Sequence, residues 1–373
     1  MCPDSIDSAA TAASSAPRLL FIPVSGAFGM GEFARCLNLA LSCRSRWPQA
    51  KIHFVLSAQA PYAQQLPFES TLLPSSPTFH TPEVVQVIRR FEPQLVVFDN
   101  AGRGEQLAAA RRAGAALVYI SARRRQRRKA FRLRWLRMLD EHWIAWPRFM
   151  AGPLSSWERI KLRLAGSPTV RYLDCLLPRI GPGDAAALRA RLALREPFVL
   201  LVPGGGTGHP RARAALDEFR EAGRRLAGSG VRCLLVAPGA GASAMSATGP
   251  ATGGSFTGSE LLPLPELLAL IEAATLIVCN GGDTLIQAMA MGAACVAVPI
   301  AADQPARIRA CVRHGAARAC LLEAGAIDLS VRSLLAAEAQ RRELRERTRA
   351  LGLTDGLEQS VEAIDGLLRS VAI

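Results

Sequence analysis

The stretch Cys279-Asn280-Gly281-Gly282-Asp283-Thr284 runs into a helical pattern from Leu285 to Met291 and has the residue types to hold a diphosphate. Paired glycines let backbone N–H groups approach an anion, and a helix starting there aims unpaired N–H groups and the positive end of its dipole at it. Thr284 adds a hydroxyl, and Gln287 lies one turn further along. A strand from Ala294 to Pro299 then leads to Asp303 and Gln304, which have the shape to accept from and donate to sugar hydroxyls. The same two residues could instead make an Asx-type turn before Pro305. A second glycine loop, Gly204-Gly205-Gly206-Thr207-Gly208-His209, follows the apolar run Phe198 to Val202. Its N–H groups could cradle phosphate, and His209 could touch phosphate or a sugar hydroxyl. It is not a P-loop, because Lys-Ser/Thr is missing after the last glycine.

The third glycine turn, Ser25 to Glu32, sits between the first apolar run and the first helical run. Its glycines fall at Gly26, Gly29 and Gly31, which is not the dinucleotide spacing. Gly29 and Gly31 open the turn to an acceptor or phosphate, or simply make it tight. Glu32, at the helix start, can act as a general base on an acceptor hydroxyl, and is also favoured there by the dipole alone. Asp99, ending the run Leu95 to Phe98, is the competing carboxylate, or caps the next turn.

The elements that position these residues alternate strand and helix. Leu19–Val24, Ile52–Leu56, Leu95–Phe98 and Ala116–Ile120 read as strands, with helices over Phe33–Leu41 and Leu107–Ala113. After the punctuated stretch Leu177 to Gly183, a second set begins: strands Phe198–Val202, Val231–Val236, Leu276–Cys279 and Ala294–Pro299, with helices between and a Gly/Ala/Ser/Thr-rich loop over Pro238–Ser259. This βαβ order predicts an α/β protein with two Rossmann-like, doubly wound domains, which bind ligands at the carboxyl ends of their strands. The expected division is a disordered tail over 1–17, an N-terminal domain over 18–176, a linker over 177–196, a C-terminal domain over 197–351 and a final helical segment over 352–373.

The 373 residues carry a net charge of +14, which points to anionic partners. Between Ala101 and Met150 stand 13 Lys and Arg against 3 Asp and Glu, an excess of 10. There Arg123 to Lys129 runs into Phe131, Trp135, Met138, Leu139 and Trp143, close to a 3.6 period. With Arg124, Arg128, Phe131 and Trp135 on view, such a helix suits an anionic membrane surface or an acceptor; alternatively the aromatic stripe packs inward and the arginines are solvated. No nucleic-acid fold signature accompanies it, so nucleic acid is the weaker partner. The nine scattered cysteines, none in CxxC spacing, read as reduced core thiols of a cytoplasmic protein rather than disulfides or a metal site. No secretory signal and no run of 18 apolar residues is seen, so the expected location is cytoplasmic, peripheral at the inner face of the membrane if the basic segment binds it.

The segment Val278 to Gln304 resembles the C-terminal signature of GT-B enzymes that use nucleotide sugars: UDP-glycosyltransferases, the lipid-linked N-acetylglucosamine transferase of peptidoglycan synthesis, and the UDP-sugar hydrolase of pseudaminic acid synthesis. Gly29 to Leu39 and Val96 to Asn100 are similar to the hydrolase group. The resemblance implies a GT-B fold, with an acceptor in the N-terminal domain and a UDP-sugar in the C-terminal one. It implies diphosphate at Gly281–Thr284, donor sugar at Asp303 and Gln304, and a last helix that crosses back to the N-terminal domain. It further implies glycosyl transfer to a hydroxyl acceptor, lipid-linked or a cell-envelope glycan, with no cofactor and no metal. The alternatives are a nucleotide-sugar hydrolase and a non-catalytic sugar-nucleotide binder. Two residues depart from the pattern. Glu32 stands where the hydrolases carry His, and Gln287 where a Glu usually holds the ribose.

Overall fold

The computed structural model describes residues 16–27, 30–166, 168–204, 212–241, 247–248 and 253–371. Two sheets dominate it. The first runs β1 (Arg18–Pro23), β2 (Lys51–Ser57), β3 (Glu69–Leu73), β4 (Leu95–Asp99), β5 (Ala116–Ser121), β6 (Glu141–Ile144) and β7 (Thr169–Tyr172), in the spatial order 3-2-1-4-5-6-7, with every pair parallel. The central strands are uninterrupted apolar runs because helices cover both faces: all five residues of β4 and all six of β5 are buried.

The second sheet comprises β8 (Val199–Val202), β9 (Arg232–Val236), β10 (Ala247–Thr248), β11 (Ser255–Ser259), β12 (Leu276–Asn280), β13 (Cys295–Val298) and β14 (Arg318–Ala319). Its order is 10-11-9-8-12-13-14, with only β10 antiparallel. Each sheet reverses direction of winding once, between β1 and β4 and between β8 and β12. Such switch points open a crevice at the carboxyl ends of the strands. All three glycine turns follow strands at these two points.

Two layers of apolar side chains flank each sheet. The last helix, Gly356–Val371, buries Leu357, Ala363 and Ile364 in the N-terminal core beside Leu19, Phe21 and Leu39. Leu357 and Ile364 each contribute about 1.5–3 kcal/mol when fully buried. The chain segments leading into and out of the second sheet run side by side. Gly356 N donates to Cys175 O (2.7 Å) and Leu177 N to Asp355 Oδ1 (3.1 Å).

Several elements differ from the sequence reading. β3, β6 and β7 are additional strands, so Leu95–Asp99 is fourth in chain order, not third. β11 lies inside the expected loop Pro238–Ser259, where its backbone pairs in parallel with β9. The expected single helix over Arg123–Trp143 is two short helices, Arg124–Ala130 and Leu133–Leu136, followed by β6, which carries Trp143. Phe131, Trp135, Leu139 and Trp143 are all interior. Trp135 meets Tyr119 edge to face with centroids 5.2 Å apart, and Lys129 Nζ stands 4.4 Å from its ring. The aromatic half of the expected membrane patch is therefore core, while Arg124 and Arg128 are exposed. Among the described residues eight cysteines are free and seven of them buried. Among the described residues no helix is long and apolar enough to cross a membrane.

Candidate active site

At the N-terminal switch point, the helix Gly31–Arg46 packs beside β1 and β4. Glu32, in the first turn, is nearly covered, and its Oε1 accepts from Asn100 Nδ2 (2.8 Å) and Arg123 Nη2 (3.2 Å). Asn100 is itself fixed. It is 4% exposed, takes a left-handed φ of 53°, and receives Ala122 N on its Oδ1 at 2.8 Å. Asn tolerates that backbone better than most residues. The position one past β4 thus orients Glu32 with a neutral donor, beside the largely exposed Arg123.

Asp99 is placed differently. It is fully buried, and both oxygens bind the Arg35 guanidinium, Nε to Oδ2 at 2.7 Å and Nη2 to Oδ1 at 3.0 Å. The Cys36 thiol, kept protonated by burial, lies 4.0 Å from Oδ2. Burial pushes the Asp99 carboxyl up to about 7 against the pull of Arg35. These contacts make Asp99 the counter-ion of Arg35, and its side chain has no exposed surface with which to meet a substrate hydroxyl.

At the C-terminal switch point, Asn280 joins the two strand ends. Its Nδ2 donates to Pro203 O (2.8 Å) and its Oδ1 accepts Gly282 N (2.8 Å). Close packing explains the glycines there. A β-carbon on Gly204, whose φ is 107°, would overlap Asn280 Nδ2, and one on Gly281 would come 2.8 Å from Ile308 Cγ1. The helix Asp283–Ala290 starts at Gly282 with no side-chain cap, so its first N–H groups face the crevice without one. Arg307 braces the turn: Nε donates to Gly281 O (2.8 Å), Nη1 pairs with Asp303 (3.0 Å), and the guanidinium lies 4.4 Å from the Trp146 ring.

Three candidate ligand-binding side chains hold backbone groups. Gln287 is buried and donates to Leu176 O at 3.3 Å. Gln304 is buried, and its Oε1 caps Ile300 N (2.7 Å) and Ala301 N (3.2 Å). Asn280 has both ends of its amide on backbone. Thr284 and Asp283 remain half-open at the helix start. Gly29, Gly205, Gly206, Thr207 and His209 lie outside the described residues.

The two crevices face each other. Asp283 Oδ2 is 3.4 Å from where a β-carbon on Gly31 would stand, and 3.8 Å from Arg35 Nη1. The starts of two helices, one from each sheet, therefore meet with Glu32 and Arg35 on one side and Gly281–Thr284 on the other. Arg35 and Asn100 fall inside the two stretches that resemble the hydrolase group, but neither has a role of its own in the sequence reading, because what defines them is contact with residues far away in the chain.

No family model matches the chain, and no curated protein does. Solved structures do match over most of its length. A glycotransferase of kitacinnamycin superposes with a TM-score of 0.61 at 16% identity, covering 95% of this chain and 99% of that one. MurG of Acinetobacter baumannii gives 0.60 at 16% identity, covering 94% and 99%. A putative UDP-N-acetylglucosamine 2-epimerase from Listeria monocytogenes gives 0.53 at 13% identity, covering 89% and 91%. The chain has the GT-B fold, two Rossmann-like domains around one cleft.

Proposed function

We propose that this chain is a glycosyltransferase that moves a sugar from a nucleotide-diphosphate donor to a hydroxyl acceptor. Glu32 acts as the base, and the diphosphate sits at Gly281–Thr284. The observation that carries this reading is the meeting of a positioned carboxylate with an uncapped helix start across one cleft. Glu32 takes the acceptor proton as the new bond to the anomeric carbon forms, and the old bond breaks towards the phosphate. Helix N–H groups and a guanidinium meet the departing charge, so this scheme calls on no metal. UDP is the first donor to try, following the sequence resemblance, with Thr284 and Asp303 the open side chains on the donor side.

The test begins with thermal shift against UDP, dTDP, GDP, CMP and their sugar conjugates, since a ligand of the native state raises the melting temperature. A shift with one nucleotide, followed by acceptor-dependent sugar transfer, is the expected result. Sugar release without acceptor would replace transfer with hydrolysis. No shift with any nucleotide would sink both.

The acceptor side has its own surface. The helix Ser156–Ala165 exposes Trp157 (72%), Ile160 (43%) and Leu164 (66%) at one-face spacing, interleaved with Arg159, Lys161 and Arg163. Arg127 ties it to the arginine-rich helix through a two-pronged pair with Glu158, at 2.9 Å on both oxygens. We assign peripheral contact with the inner, anionic membrane face, and access to a lipid-linked acceptor, to this surface in place of Phe131 and Trp135. Trp157→Ser with Leu164→Ser is expected to weaken flotation on phosphatidylglycerol vesicles about tenfold or more, as lost interfacial burial of two side chains requires. Both sites are exposed, so the melting temperature should hold. Equal flotation of the variant, or equal binding to purely zwitterionic vesicles, would refute the assignment.

A further inference from the structure

We propose that Arg35, from the N-terminal domain, is the group that receives the departing diphosphate, and that Asp283 occupies its place until the donor arrives; this rests on the glycosyl-transfer reading of the site. Arg35 is 9% exposed, and Asp99 fixes the plane of its guanidinium through two nitrogens. The third nitrogen, Nη1, makes no hydrogen bond among the described residues and points across the cleft to Asp283 Oδ2 at 3.8 Å. Asp283 is the first residue of the donor helix, and its side chain is 43% exposed. Its carboxylate lies where two helix N-termini and a buried guanidinium converge. All three favour negative charge at that point.

The two partners differ in freedom. The guanidinium is locked, so it cannot relax away when charge builds up. The Asp283 carboxylate is half in solvent and can swing out. A diphosphate entering at Gly281–Thr284 then exchanges one carboxylate for a more highly charged anion on the same three positive groups. During transfer the bond from the anomeric carbon to the phosphate oxygen breaks, and its electron pair stays on that oxygen. Arg35 meets the new charge with an N–H that remains on nitrogen, while the acceptor proton goes to Glu32. An electrostatic contact prepared before the reaction costs no reorganisation during it. Arg suits this better than Lys, because one planar group can hold Asp99 and still present a donor.

The experiment is calorimetric titration of the full-length protein with inorganic pyrophosphate and with UDP, together with steady-state kinetics. Asp283→Asn should bind pyrophosphate about tenfold more tightly, because removing one like charge from an anion site is worth roughly that factor. Arg35→Lys keeps a charge for Asp99. It should weaken pyrophosphate binding about tenfold and lower kcat about 10²-fold, the usual effect of losing one prepared donor. If Arg35→Lys does not fold, Asp283→Asn decides alone, since its half-exposed side chain leaves the core untouched. Wild-type protein that ignores pyrophosphate, or variants that bind it as wild type does, would overturn the proposal. Pyrophosphate binding that follows these changes without nucleotide binding would uphold the anion site and remove only the nucleotide-sugar reading.

Discussion

Glu32→Gln is expected to lower kcat by about 10²–10⁴-fold, the range for a positioned general base, while leaving nucleotide affinity within a factor of about two. The substitution is nearly isosteric. Asn100 Nδ2 can still donate to the amide oxygen, as it now does to Oε1 at 2.8 Å, so the local backbone need not move. What disappears is the ability to accept a proton, together with the charge that pairs with Arg123. That pair is with a largely exposed arginine, so little stability should go with it. Steady-state kinetics with saturating acceptor, and calorimetry with the nucleotide, separate the two effects. A variant with kcat within threefold of wild type would remove Glu32 from the chemistry. Asp99 could not take its place without first giving up Arg35.

The sequence shows the frame of this site more readily than its wiring. β1, β4, β8 and β12 are continuous apolar runs buried on both faces, and each ends at a polar or glycine turn, so periodicity and punctuation suffice to place them. β3 (Glu-Ser-Thr-Leu-Leu) and β7 (Thr-Val-Arg-Tyr) lie at or next to sheet edges, where pairing rather than burial decides the conformation. The spacing of Phe131, Trp135, Leu139 and Trp143 is helical, yet two short helices and a strand satisfy it, because all four face one interior. The real exposed stripe, Trp157-Ile160-Leu164, carries the same kind of spacing with nothing in the pattern to mark it as outward. The contacts of the polar residues are hidden for a related reason. Asn280, Gln287 and Gln304 have the chemistry to bind a sugar nucleotide, but each is bonded to backbone groups, distant along the chain for Asn280 and Gln287 and within one turn for Gln304. Arg35 shows the converse. Its partners are 64 residues away in Asp99 and in the opposite domain in Asp283.

That pairing sets the largest expected effect on stability. Asp99→Ala should destabilise the protein by about 3–5 kcal/mol, the cost of stripping one partner from a buried ion pair. Arg35 would keep its charge in the interior, where among the described residues the remaining ion-pair partner is Asp283, at 3.8 Å and half in solvent. Replacing both members with apolar groups of similar size, as in Asp99→Leu with Arg35→Met, removes the charge along with its partner. It should therefore lie within about 1–2 kcal/mol of wild type, since such pairs often come out neutral against hydrophobic replacements. Denaturant midpoints at constant m-value measure both, and the cycle of single and double variants isolates the coupling. If Asp99→Ala cost less than about 1 kcal/mol, as surface substitutions do, the pair would not be the buried anchor described here. If the double variant were as unstable as the single one, packing rather than charge would hold this corner. A double variant that is stable yet has lost its turnover would place the value of the pair in what it does at the cleft. The fold can do without Arg35, but the diphosphate would have no fixed cation on the N-terminal side.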